Sequence, residues 1–319
     1  PVGTAFPAEG PAGRGGGGGR STPAKSAVGE PGEGGVTVAE VAARMAAFTA
    51  ANAGRGAGAN PGRGNGADAG RGAGAGRGGN MQRRLPVVVY ALSSDGMLHA
   101  MYVSNGVEPE PPVAFLPANA NAHGLSIVDN VAYVATTAGC GGAPNAIWAL
   151  DLMSKQAVSW KATGGGIAGA AGPAFGPDGT LYVATIEGDL VALEAKTLKV
   201  KDVYRAGQEL TSSPLIFQHK EKVLIAVTTN GRIQLLDTAA MTAPIGKSPP
   251  YSTVKDFVPG ALASWQSADG TRWILAPAAG PVSPDAQFTA ANGSVTNGAT
   301  VAFKVVDQNG AVTLEPGWV

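Results

Sequence analysis

Few side chains here are of kinds that do chemistry alone. The 319 residues include one cysteine, Cys140, and three histidines, His99, His123 and His219. Cys140 lies in Thr136-Thr137-Ala138-Gly139-Cys140-Gly141-Gly142-Ala143-Pro144-Asn145, an enlarged turn between two expected strands. A lone thiol in such a turn reads first as inert. Pairing with a cysteine in a missing part of the protein and intrinsic reactivity are the other readings. The histidines are too dispersed in the chain for a metal site and read as strand or surface positions. No Cys-x-x-Cys-His attaches haem to this chain, and no carboxylates fall at calcium-loop spacing. Catalytic and cofactor-binding residues therefore stay unassigned, and no metal ligand is expected.

Two further sets of charged residues stand out. Arg55, Arg63, Arg71 and Arg77 each sit between glycines in a stretch, 54–79, that holds twelve glycines. Repeated Gly-Arg-Gly can bind RNA by stacking and phosphate pairing, but no aromatic residue accompanies these arginines, so a flexible linker is expected. Asp151, Glu194, Asp237 and Asp307 recur at one place in successive repeats. A repeated acid of this kind is expected to tie a turn to backbone amides, with catalysis as the weaker reading.

The elements that must position these residues are hairpins. Leu181-Tyr182-Val183-Ala184 and Leu190-Val191-Ala192-Leu193 are apolar, rich in strand formers, and separated by the turn residues Glu187-Gly188-Asp189. The layout recurs at Val88 to Met101, at Val131 to Thr136 with Ile147 to Asp151, at Val223 to Asp237, and at Trp273 to Pro277 with Val301 to Asp307. Aligned on Ser93, Thr136, Thr185, Thr228 and Pro277, the copies lie 43, 49, 43 and 49 residues apart. A strand-only repeat of that length predicts a β-propeller of four-stranded antiparallel blades, about five in this chain. The runs are continuously apolar, as expected of a blade covered on both faces, and Ala135, Ala184 and Ala226 would let blades approach closely. Crossover helices for a parallel sheet are not expected, because the connections are rich in Gly, Pro and Asn.

Strands are expected in the second blade at His123 to Val128, Val131 to Thr136, Ile147 to Leu152 and Ala157 to Ala162. In the third they fall at Ala170 to Phe175, Leu181 to Thr185, Leu190 to Glu194 and Val200 to Tyr204. In the fourth they fall at Ser213 to Phe217, Val223 to Thr228, Ile233 to Asp237 and Tyr251 to Lys255. In the fifth they fall at Ala261 to Gln266, Trp273 to Pro277, Ala299 to Val306 and Val312 to Leu314. The first blade has its hairpin and an outer strand at Val113 to Leu116, with no clear innermost strand. The insertion from Ala279 to Asn297 is expected to be a variable loop on one face of the ring.

Before the blades, residues 1–35 are expected to be disordered, 36–53 to hold a short amphipathic helix capped by Thr37 and Glu40, and 54–83 to be a Gly/Arg-rich linker. The propeller then occupies 84–319. Five blades rarely close alone at this repeat length. The chain is thus expected to be part of a ring of six to eight blades, or to close by joining its terminal strands in one blade. It begins with Pro1 and shows no signal peptide, so it is expected to be processed or cut from something longer. Lysine plus arginine and aspartate plus glutamate both number 23, so no overall field favours nucleic acid or anionic membrane. No apolar run is long enough to span a bilayer.

Two stretches carry a family resemblance: Tyr182-Val183-Ala184-Thr185-x-x-Gly188-x-Leu190-x-Ala192-Leu193-Glu194-Ala195-x-Thr197, and Trp148-Ala149-Leu150-Asp151-x-x-Ser154 followed by Trp160. They resemble the repeat of the pyrroloquinoline-quinone (PQQ) propeller family over roughly 85–319, although Trp160 falls one residue late and Asp202 stands near the matching tryptophan position. The resemblance implies a periplasmic or secreted bacterial protein. It also implies either a quinoprotein alcohol dehydrogenase or a non-catalytic relative that binds partner proteins. Family dehydrogenases hold PQQ between a tryptophan and a vicinal disulfide, with calcium and an aspartate base. Here Cys140 is followed by Gly141-Gly142. The expected function is therefore an exported binding or scaffold module, alone or as part of a multidomain electron-transfer protein, whose partner is another protein or missing blades. The alternative is a PQQ- and calcium-dependent dehydrogenase with its catalytic residues outside this chain.

Overall fold

The computed structural model describes residues 2–4, 87–254, 257–289, 293–308 and 310–319. The helix expected over 36–53, the linker over 54–83 and nearly all of the segment over 1–35 lie outside the described residues. Among the described residues, regular structure is twenty strands and one short 3-10 turn, Cys140–Gly142.

The strands form five four-stranded sheets, each an antiparallel meander in chain order. Sheet one is β1 (Val2–Thr4), β2 (Val88–Leu92), β3 (Met97–Tyr102) and β4 (Val113–Ala114). Sheet two is β5 (Asn121–Val128), β6 (Val131–Thr137), β7 (Ala146–Asp151) and β8 (Ala157–Lys161). Sheet three is β9 (Ala174–Phe175), β10 (Leu181–Ala184), β11 (Asp189–Leu193) and β12 (Val200–Arg205). Sheet four is β13 (Leu215–His219), β14 (Lys222–Thr229), β15 (Arg232–Asp237) and β16 (Gly246–Lys247). Sheet five is β17 (Ala263–Gln266), β18 (Arg272–Ala279), β19 (Gly298–Gln308) and β20 (Ala311–Trp318).

Turn chemistry explains the hairpins. Asn230 and Gly231, between β14 and β15, both have positive φ (48° and 67°), the backbone that lets a two-residue turn match strand twist. Gly188 (φ 98°) closes the β10–β11 turn, where an added Cβ would lie 2.3 Å from the Gln208 carbonyl oxygen.

Strand alternation feeds two cores at once. In β6, Val131, Tyr133 and Ala135 pack with Leu181, Val183 and Leu193 of sheet three, while Ala132 and Val134 pack with Leu92 and Leu98 of sheet one. Similar clusters join sheets three and four through Ala184, Leu190 and Ile225, and sheets four and five through Ala226, Leu235 and Phe303. Each large aliphatic side chain buried in these gaps stabilises by about 1.5–3 kcal/mol, so inter-sheet packing outweighs any single turn. The alanines at the tight positions, Ala135, Ala184 and Ala226, are fully buried. Among the described residues none of the four clusters joins sheet five to sheet one.

The segments entering the sheets converge. The Gly260 carbonyl accepts the N–H groups of Ala170 at 3.3 Å and Ser213 at 2.9 Å, and the Ser213 hydroxyl accepts the Ala171 N–H at 3.0 Å. A Cβ on Gly124, in β5, would lie 2.4 Å from the Ala171 carbonyl oxygen. Small residues thus bring the entries to sheets two through five into backbone contact.

Several expected boundaries move. The outer strand of sheet four is Gly246–Lys247, not Tyr251 to Lys255. Tyr251 follows Pro249-Pro250 and is buried instead against Phe303, with ring centroids 5.7 Å apart. Sheet three's first strand shrinks to Ala174–Phe175 because the amides of Ala170 and Ala171 go to the convergent junction. Val2–Thr4, within the segment expected to be disordered, supplies the first strand of sheet one by pairing with Tyr90 to Leu92. The N-terminal β1 and the C-terminal β20 consequently lie in different sheets, so the expected alternative of a shared closing blade is not what forms. The loop after β18 is no free excursion: Ala286 is buried, and Phe288 meets Phe303 edge-on at 5.4 Å.

Candidate functional site

The repeated acids divide into two groups. Asp151 Oδ1 accepts the N–H groups of Met153 and Ser154, both at 2.9 Å, which holds its carboxyl below the usual range. Asp237 Oδ1 accepts the Ala239 N–H at 3.0 Å, and Glu194 Oε2 accepts the Thr197 hydroxyl at 2.5 Å. These three tie turns. Asp307 departs from the pattern: Lys220 and His219 both reach its Oδ2, the imidazole Nε2 at 3.1 Å, linking sheet five to sheet four. Lys220 first and His219 second hold the Asp307 carboxyl below its ordinary range.

The three histidines stand in sheets one, two and four, on β3, β5 and β13. His123 is pushed toward its neutral form by burial, and its Nδ1 has no hydrogen-bond partner. Cys140 is exposed in the 3-10 turn of sheet two. Trp160 packs into the cluster between sheets two and three. The quinone clamp implied by the family resemblance does not fit these residues. Cys140 is the sole cysteine, and among the described residues no three His, Cys, Asp or Glu side chains gather as cation ligands.

A different cluster assembles at the turn end of sheet one. Ser93-Ser94-Asp95-Gly96 joins β2 to β3, and the Ser93 hydroxyl meets Asp95 Oδ1 and, at 3.0 Å, the Met97 carbonyl. Asp95 also accepts the Met97 N–H at 3.2 Å; its carboxyl lies below the ordinary range, first because Ser93 donates to it. Pairing of Ala91 with His99 and Leu92 with Leu98 puts Ser93 and His99 on one face of the hairpin. His99 Nε2 lies 3.1 Å from Ser93 Oγ, and its Nδ1 lies 2.6 Å from Glu108 Oε1. Glu108 comes from the irregular loop before β4, whose other acid, Glu110, pairs with Lys155 of sheet two at 2.7 Å.

Ser93 also borders an open cleft of about 400 Å³ between the turn ends of sheets one and two, with Leu116, Asn119 and Cys140 among its other lining residues. The line Glu108–His99–Ser93 can hold a proton on Nδ1 and leave Nε2 to accept one from the serine. Sequence reasoning missed this cluster because it weighed the histidines against each other as metal ligands. The available signal was parity: a serine closing one strand and a histidine on the next share a face. No family model matches this chain, and no curated protein matches it.

Proposed function

We propose that the chain is a β-propeller of the quinoprotein type that acts as an exported binding or scaffold module. The observation that supports this most is the convergent junction, where Gly260 accepts from Ala170 and Ser213 while Gly124 lies against Ala171. Sheets that meet at their inner segments and pack face to face through apolar clusters suit a radial array, with turns and loops left at its ends to vary for binding. Export and the choice of a protein partner rest on the repeat resemblance around Tyr182 to Thr197.

The test has two arms. Electron microscopy of the purified protein is expected to show a disc with a central axis, and particles without one remove the propeller. Titration with PQQ and Ca²⁺ is expected to give neither quinone binding nor dye reduction with alcohols. Dye reduction would put the dehydrogenase in place of the binding module.

A further inference from the structure

We propose that Ser93, His99 and Glu108 form an acyl-transfer site that hydrolyses small esters, an activity separate from the binding role. A carboxylate only accepts hydrogen bonds, so the 2.6 Å contact with Glu108 Oε1 puts a proton on His99 Nδ1. A ring that carries its proton on Nδ1 alone offers Nε2 as an acceptor to Ser93 Oγ at 3.1 Å. The Ser93 proton has three acceptors within reach: Asp95 Oδ1, the Met97 carbonyl and His99 Nε2. Rotation about one bond exchanges them without moving a heavy atom.

Turn formation accounts for the serine and the aspartate, but not for the histidine. In sheet five Ser267-Ala268-Asp269-Gly270-Thr271 builds the same turn, with Ser267 on Asp269 Oδ1 and on the Thr271 carbonyl at 3.2 Å. The residue matching His99 there is Trp273. The turn therefore forms without an imidazole, and the His99–Glu108 pair is an addition particular to sheet one. Ser93 borders an open cleft of about 400 Å³, whose lining residues Leu92, Leu116 and Pro117 offer apolar surface to a short acyl chain.

In the reaction Ser93 Oγ bonds to the ester carbonyl carbon and its proton passes to His99 Nε2. The carbon–alkoxy bond breaks, and the alkoxide leaves with that proton. Water then attacks the acyl-serine carbon, giving a proton to Nε2; the carbon–Oγ bond breaks, the acid departs and Ser93 regains the proton. Glu108 is a positioning residue that fixes the tautomer.

The experiment treats the purified full chain with p-nitrophenyl acetate and with a fluorophosphonate probe, the labelled peptide being identified by mass. Label on Ser93, ester turnover, and loss of both in His99→Gln at unchanged far-UV spectrum are expected. Ser267→Ala should keep both. Glu108→Ala should lower kcat by roughly tenfold or more at constant KM, with part returned in Glu108→Asp. No label on Ser93 in the folded parent, or turnover persisting in Ser93→Ala or His99→Gln, would overturn the proposal.

Discussion

The hydroxyl of Tyr204, on the outer strand of sheet three, donates to Oε1 of Gln234 on β15 of sheet four at 3.1 Å, in a buried setting. Two neighbouring sheets are thereby held in register by a polar contact inside an apolar gap. Tyr204→Phe leaves the Gln234 carboxamide without its partner, and the unfolding free energy should fall by about 1–3 kcal/mol. Urea unfolding of the variant and parent measures this; equal midpoints would mean that the contact contributes nothing.

The tyrosines set an alkaline limit. Burial pushes Tyr182 up to about 12 from 10.0, and burial moves Tyr251 in the same direction. A folded-state pKa above the unfolded value favours the folded protein while the phenol is protonated. That contribution is complete below pH 10 and is lost as pH rises toward 12. Stability should therefore decline over this window, and Tyr182→Phe should flatten the decline. Denaturant midpoints taken across the alkaline range check it.

Leu193 and Leu190 lie on one strand yet serve different gaps, Leu193 facing sheet two and Leu190 facing sheet four. Leu193→Ala should cost about 2–5 kcal/mol and Leu190→Ala a similar amount. Because the cavities open in separate cores, a double variant should lose close to the sum. Chemical denaturation of the three variants decides this, and strong non-additivity would mean that the two gaps are coupled.

Gly188 and Gly207 make a paired test of backbone strain against crowding. Both have positive φ, 98° and 70°, but a Cβ on Gly207 meets nothing within 4 Å whereas one on Gly188 strikes the Gln208 backbone. Gly207→Ala should cost about 1 kcal/mol and Gly188→Ala clearly more. Thermal melts of both variants suffice, with reversal of the order as the contrary result.

Much of the sheet framework was legible because hairpins are local. Leu181 pairs with Leu193 across a short turn, so strand propensity and turn residues already specify both partners. The first strand of each sheet was less legible. Phe175 ends up beside Leu181, but the amides of Ala170 and Ala171 are drawn away by Gly260 and Ser213, which lie on the segments entering sheets five and four. Tyr251 likewise left its expected strand because a ring that size gains more from burial against Phe303 than from an exposed edge. The serine–histidine–glutamate line depends on where the irregular loop carrying Glu108 returns, and no periodicity encodes that path.

The order of amino acids by itself determined an all-β chain of recurring hairpins, apolar on both faces, because side-chain alternation and turn preference act over a few residues. Tertiary structure alone decided which sheet faces which, that Val2–Thr4 joins β2, and that Glu108 meets His99. Those contacts join residues distant in the chain or carried on irregular loops, and their geometry follows from packing the whole set of sheets at once.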